Sequence, residues 1–184
     1  LATGADAMLD PLIPAAQFEV ILNTLMAKSP VVLVDLSGAE ASVRKAVIAR
    51  AHKTIIMATP TITSLRFCRS LLKEIAQIKG GDSDDVALII NQHGCVKGHE
   101  VPKADIKEAL EFEPDAYIPY LPNLFMKYES DIKDLISDKD ASAVVTTFLG
   151  VLKKCIPSSK REDEQENVKN SGFLGDFLSK LTTK

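Results

Sequence analysis

Two polar side chains in this sequence follow short apolar runs directly. Asp35 closes Val31–Asp35 (VVLVD) and leads into Leu36-Ser37-Gly38. A carboxylate at the C-terminal end of a buried strand, followed by a turn of small residues, suits Mg²⁺ held directly or through water. The glycine there lets a backbone N–H approach a phosphate. The same carboxylate would equally serve as a polar strand end that caps the next helix. Asn91 closes Val86–Asn91 (VALIIN) and leads into Gln92-His93-Gly94. Its amide donates and accepts at once, which suits the edge of a purine base, or satisfies the backbone of its own turn.

Other chemistries find less support. His93, Cys95 and His99 lie close together in one stretch, but their spacing matches no zinc framework, and a structural zinc needs four ligands. No G-x-S-x-G elbow supports nucleophilic catalysis. No G-x-x-x-x-G-K-[ST] or G-x-G-x-x-G occurs. A phosphate-binding loop rings its phosphates with backbone N–H groups and a lysine. With no such loop, the chain is not expected to hydrolyse a nucleotide by itself.

The elements that must position these residues alternate in type. Val31–Asp35, Thr54–Thr59 and Val86–Asn91 are continuous runs rich in Val and Ile, the pattern of strands covered on both faces. Ala116–Tyr120 is shorter and contains Pro119, so it is expected to be an edge or a strand end. Helical spacing marks Ala15–Lys28, Ser42–Ala51, Ser64–Ile78, Lys103–Leu110 and Ala141–Lys154, with Gly80-Gly81 ending the third. Alternating strands and helices predict an α/β fold with a mostly parallel sheet flanked by helices. Ligands of such sheets bind beyond the C-terminal strand ends: Asp35–Gly38, Thr59-Pro60, Asn91–Gly94 and Pro119–Pro122.

The chain has 184 residues, enough for one domain with a real core. Residues 1–156 are read as that domain, 157–171 as a polar linker and 172–184 as an amphipathic segment. In that last segment Phe173, Leu174, Phe177, Leu178 and Leu181 share one helical face. Such a face docks on its own domain, a second copy, a partner's groove or a membrane. Lys180 and Lys184 against Asp176 are a thin basic supply for the membrane. At 46% hydrophobic and 26% charged the chain is globular, and no run is long enough to span a bilayer. A net charge of -3 gives no overall field for a nucleic-acid backbone, so no nucleic-acid partner is expected. Three scattered cysteines suggest a reducing compartment rather than a disulfide framework. The chain starts at Leu1, which reads as a cut edge.

In order, these stretches resemble the ParA/MinD superfamily of deviant P-loop ATPases, in its pilus-assembly branch of CpaE/TadZ type. The resemblance is carried by VVLVDLSGAEASVRKAVIARAHKTIIMATPTITSLRFCRSLLKEI, then VALIINQHG, then HEVPKADIKEALEFEPDAYIPYLPNLF, within roughly residues 1–155. It implies that Asp35 is the switch II aspartate reaching Mg²⁺ through water. It implies that Gly38 lies beside the γ-phosphate, that Asn91 contacts adenine, and that Pro119, Tyr120 and Leu121 border the base. The family's Asp-Leu-Pro is here Asp35-Leu36-Ser37. Its lysine-bearing phosphate loop and switch I aspartate have no counterpart in this chain, so the fold is expected to be incomplete at its N-terminal side, by about 60 residues or more.

The resemblance further implies ATP and Mg²⁺ as cofactors of the complete protein, a homodimer and a cytoplasmic location. It implies a role in localising or assembling a type IV (Flp/Tad) pilus or secretion apparatus, and peripheral contact with the inner face of the membrane through residues 172–184. Two alternatives come from other classes. One is a non-enzymatic scaffold with a degenerate ATPase fold. The other is a receiver-like phosphoacceptor using Asp35, Thr59 and a lysine such as Lys97. That fold needs an acidic pair ending an earlier strand, and no strand precedes Asp6 and Asp10.

Overall fold

The computed structural model describes residues 15–81, 84–96, 98–131 and 139–155. Six α-helices and three strands occur among them: α1 (Ala15–Lys28), α2 (Ala41–Arg50), β1 (Thr54–Ala58), α3 (Ile62–Lys79), β2 (Val86–His93), α4 (Lys103–Leu110), β3 (Ala116–Pro119), α5 (Pro122–Asp131) and α6 (Ser142–Cys155). A short 3₁₀ turn, Lys139–Ala141, leads into α6. The strands form one parallel sheet in the order β1-β2-β3, so the chain is an α/β fold. Among the described residues no helix is long and apolar enough to cross a membrane.

The middle strand explains its own composition. Leu88, Ile89 and Ile90 of β2 are at most 2% exposed, because the strand has a neighbour on each edge and helices over both faces. Successive side chains point to opposite faces. Ile56, Ala58, Leu88 and Ile90 therefore pack on one side with Ile48 of α2, Leu65, Cys68 and Ile75 of α3, and Ile106 and Leu110 of α4. Ala87, Ile89, Ala116 and Ile118 pack on the other side with Val144 and Val151 of α6. The helical stripe predicted for α3, Leu65, Cys68, Leu72 and Ile75, lies on or against the first of these cores.

Helix ends follow local chemistry. Thr61 caps α3, its hydroxyl accepting from the Ser64 amide at 3.3 Å, while the Ser64 hydroxyl accepts from the Thr59 amide at 2.9 Å. One first-turn donor of the helix and the amide of the strand exit before it are thereby satisfied by neighbouring side chains. At the other end Gly80 adopts φ +81°, a left-handed conformation that costs a residue with a Cβ about 1–2 kcal/mol.

The first predicted strand is corrected. Val31–Asp35 forms no strand: its residues alternate between exposed and half-buried, and Val31 and Leu33 are 58% and 89% exposed. Leu36 does reach the first core. The physical reason is pairing. A strand needs a neighbour for its backbone groups, and the edge of β1 away from β2 carries no ladder bond to this segment. The other boundaries move by a few residues, and β2 runs on through His93. Helix α5 was not anticipated. Among the described strands β3 lies at an edge of the sheet, and Pro119 is its last residue.

Candidate functional site

Parallel strands end at one edge of the sheet. There Thr59-Pro60 leaves β1, Asn91–His93 ends β2, and Pro119 ends β3. Cross-links hold these exits together: the Tyr120 amide donates to the His93 carbonyl at 2.9 Å, and the Val101 amide donates to the Pro60 carbonyl at 3.0 Å.

The pairing of β2 with β3 is irregular at this edge. Ile90 lies opposite Tyr117 and His93 opposite Pro119, so Asn91 and Gln92 together face Ile118 alone. This is a bulge, and Gln92 adopts φ +60°, a conformation uncommon for a residue with a side chain. The Asn91 side-chain oxygen accepts from the Gln92 amide at 2.8 Å. The acceptor of Asn91 is thus engaged by its own turn, one of the two roles open to it, and its amide NH₂ remains to donate.

Asp35 is likewise engaged locally. Its Oδ1 accepts from the Ser37 hydroxyl at 2.6 Å and from the Ser37 amide at 2.9 Å. The hydroxyl bond first and the amide bond second hold this exposed carboxyl below its ordinary value of 3.8. It does not cap α2, whose N-cap position is Glu40, without a side-chain bond. Gly38 adopts φ +72° with open space where a side chain would go. The Ser37 hydroxyl bond is available because serine stands where the resembling family has proline.

Sequence reasoning missed a second cluster at the same edge. Glu100 closes the loop after β2, its two oxygens accepting from the Gly94 and Val96 amides at 2.8 Å each. Those bonds, Gly94 first, hold its carboxyl below the usual value. The only sequence signal was an acid a few residues past a glycine. The His93 ring stands edge-on to Tyr117 at 5.7 Å, and Lys103 Nζ lies 4.4 Å from the Tyr117 ring centre. Burial, then the charge of Glu113, pushes the Tyr117 phenol up. No sequence spacing joins His93, Lys103 and Tyr117; the sheet and α4 bring them together.

The remaining expected residues divide. Pro119 and Tyr120 are exposed at the edge. Leu121 instead packs against the second core with Leu124. Thr59 shares a 3.2 Å hydroxyl contact with Thr61. Lys97, Asp6, Asp10 and the segments 157–171 and 172–184 lie outside the described residues. No group of three or more His, Cys, Asp or Glu side chains able to hold a metal exists among the described residues, so Asp35 stands as a single carboxylate.

ATP and Mg²⁺, which the resemblance implies, fit these residues only in part. Asp35 Oδ2 is free of any described partner and Gly38 leaves open space, but no ring of backbone N–H groups with a lysine surrounds a phosphate position among the described residues. No catalytic step through the nucleotide follows from this set alone. Comparison of the chain with protein-family models, curated proteins and solved structures finds no match.

Proposed function

We propose that this chain is the C-terminal part of a MinD/ParA-family ATPase of the CpaE/TadZ type, acting in the localisation or assembly of a type IV (Flp/Tad) pilus or secretion apparatus. The observation that carries the reading is the order of polar strand exits. Thr59-Pro60, Asn91 and Pro119-Tyr120 leave a parallel sheet at one edge, which is where α/β sheets bind ligands. The Asp35–Gly38 turn follows the extended segment whose Leu36 joins the same core as Ile56 and Ala58. In this reading Asp35 serves Mg²⁺ through water, and Asn91 presents its amide to the base. The phosphate loop comes from elsewhere in the complete protein, which works as a cytoplasmic homodimer. The 184 residues alone do not turn over ATP.

The test is calorimetry with ATP and Mg²⁺ on the longest natural chain that contains these residues. Binding that disappears in Asp35→Ala supports the proposal, and absence of binding to that chain refutes it. The scaffold alternative draws on a specific observation: one carboxylate oxygen of Asp35 and the amide oxygen of Asn91 are each engaged by their own turns. It expects no nucleotide binding by any natural form, with partner binding unchanged in Asp35→Ala.

A further inference from the structure

The described helices cover the two faces of the sheet unequally. Helices α2, α3 and α4 lie over Ile56 and Ala58 of β1 as well as over β2. On the opposite face α6 lies over β2 and β3 only. What β1 offers to that second face is Ile55 and Met57, and neither enters a core: they are 37% and 52% exposed. Val31 and Leu33, in the segment that leads to Leu36, are exposed as well, at 58% and 89%. The residues of β1, Thr54–Ala58, include no charge. An uncharged, apolar outer strand is a surface that proteins ordinarily cover.

Helix α6 carries the chain to this place. Its last residue, Cys155, packs against the second core, and Lys154 beside it bonds Asp115, the residue before β3. The last described residue of α6 is therefore at the N-terminal end of the sheet, on the face that α6 occupies. The polar stretch 157–171 has a coil reach of about 20 Å. The five residues of β1 span about 16 Å, so the whole strand is within reach. Residues 172–184 in helical form would be about 20 Å long, a match to that strand.

We propose that residues 172–184 dock in cis across this face, setting Phe173, Leu174, Phe177, Leu178 and Leu181 against Ile55 and Met57. The apolar stripe of the tail and the bare face of β1 complement each other in length and chemistry, and the chain between them has the reach. The docking places no demand on nucleotide binding.

The chain contains no tryptophan, so Phe177→Trp in the full 184-residue chain is a clean reporter. Docking in cis predicts blue-shifted emission relative to a free 172–184 peptide with the same substitution, unchanged on dilution. Adding Met57→Asp or Ile55→Asp should lower the docked-to-free ratio by about tenfold or more, because a carboxylate set against apolar side chains has no partner. Met57 is 52% exposed, so that variant keeps its fold, as far-UV circular dichroism would verify. Emission equal to that of the free peptide overturns the proposal. So does a blue shift indifferent to both aspartates. A shift that vanishes on dilution assigns the tail to a second copy, and one that needs phosphatidylglycerol vesicles assigns it to a membrane; either result also overturns docking in cis.

Discussion

Replacing Asp115 isolates one acceptor at the seam between β2 and β3. Alternate residues of β2 serve alternate neighbours, and those of Leu88 face β3. The Asp115 amide donates to the Leu88 carbonyl at 2.7 Å, and Asp115 Oδ2 accepts from the Leu88 amide at 2.9 Å. Leu88 is fully buried, so its N–H has no access to water when that acceptor is removed. A buried donor left unsatisfied costs about 1–3 kcal/mol. The other oxygen accepts from Lys154 at 2.8 Å, but Lys154 is 64% exposed, so this pair adds less than about 1 kcal/mol. Asp115→Ala should therefore destabilise the chain by about 2–3 kcal/mol. Asp115→Asn keeps an acceptor and should cost about 1 kcal/mol or less. In urea, with a slope near 2 kcal/mol per molar, the alanine variant's midpoint falls by about 1 M and the slope stays the same. The difference between alanine and asparagine should survive added salt, since it comes from a buried neutral donor, whereas the difference between asparagine and aspartate should shrink. Equal destabilisation by alanine and asparagine would refute the reasoning, because it would mean that charge and not the acceptor matters.

Other outcomes are expected elsewhere. Burial pushes the Cys68 thiol up to about 11, so at pH 8 an aromatic disulfide reagent should label exposed Cys95 rapidly and Cys68 only after unfolding. Ser37→Ala should raise the Asp35 carboxyl toward its ordinary value of 3.8 in a carbon-detected titration. Because the folded-state value is depressed, the stability that Asp35 contributes is present above 3.8 and is lost as pH falls through the lower folded value. Glu100→Gln should speed hydrogen exchange at the Gly94 and Val96 amides while leaving β2 protected, and equal rates in both proteins would count against the carboxylate as the loop's clasp. Gly80→Ala should cost about 1–2 kcal/mol by thermal melting, from its left-handed backbone alone, since nothing lies within 4 Å of the added methyl.

Local chemistry made several features legible without a structure. The continuous apolar run of β2 announced a strand buried on both faces, and Leu88 to Ile90 occupy that position. The stripe through Leu65, Cys68, Leu72 and Ile75 and the stop at Gly80 describe α3 almost to its ends. Pro119 declared an edge or a strand end because it has no N–H to offer a further neighbour. These are properties of single segments: periodicity, side-chain shape and allowed φ.

Pairing and proximity belong to tertiary structure. Val31–Asp35 has the composition of a buried strand, yet it makes no ladder, because a strand exists only where a neighbour accepts its backbone groups. The polar ends of strands were visible in the sequence as candidates. Which acceptors were already engaged was not, since that depends on a hydroxyl at Ser37 and a bulge at Asn91–Gln92. The ring of Tyr117 with His93 and Lys103 carries no sequence signature, because β2, β3 and α4 each bring one residue to it. By itself the sequence determined which segments are apolar on which side and where helices must stop. The fold alone decided which of those sides meet, because burial and hydrogen bonding depend on residues far apart in the chain.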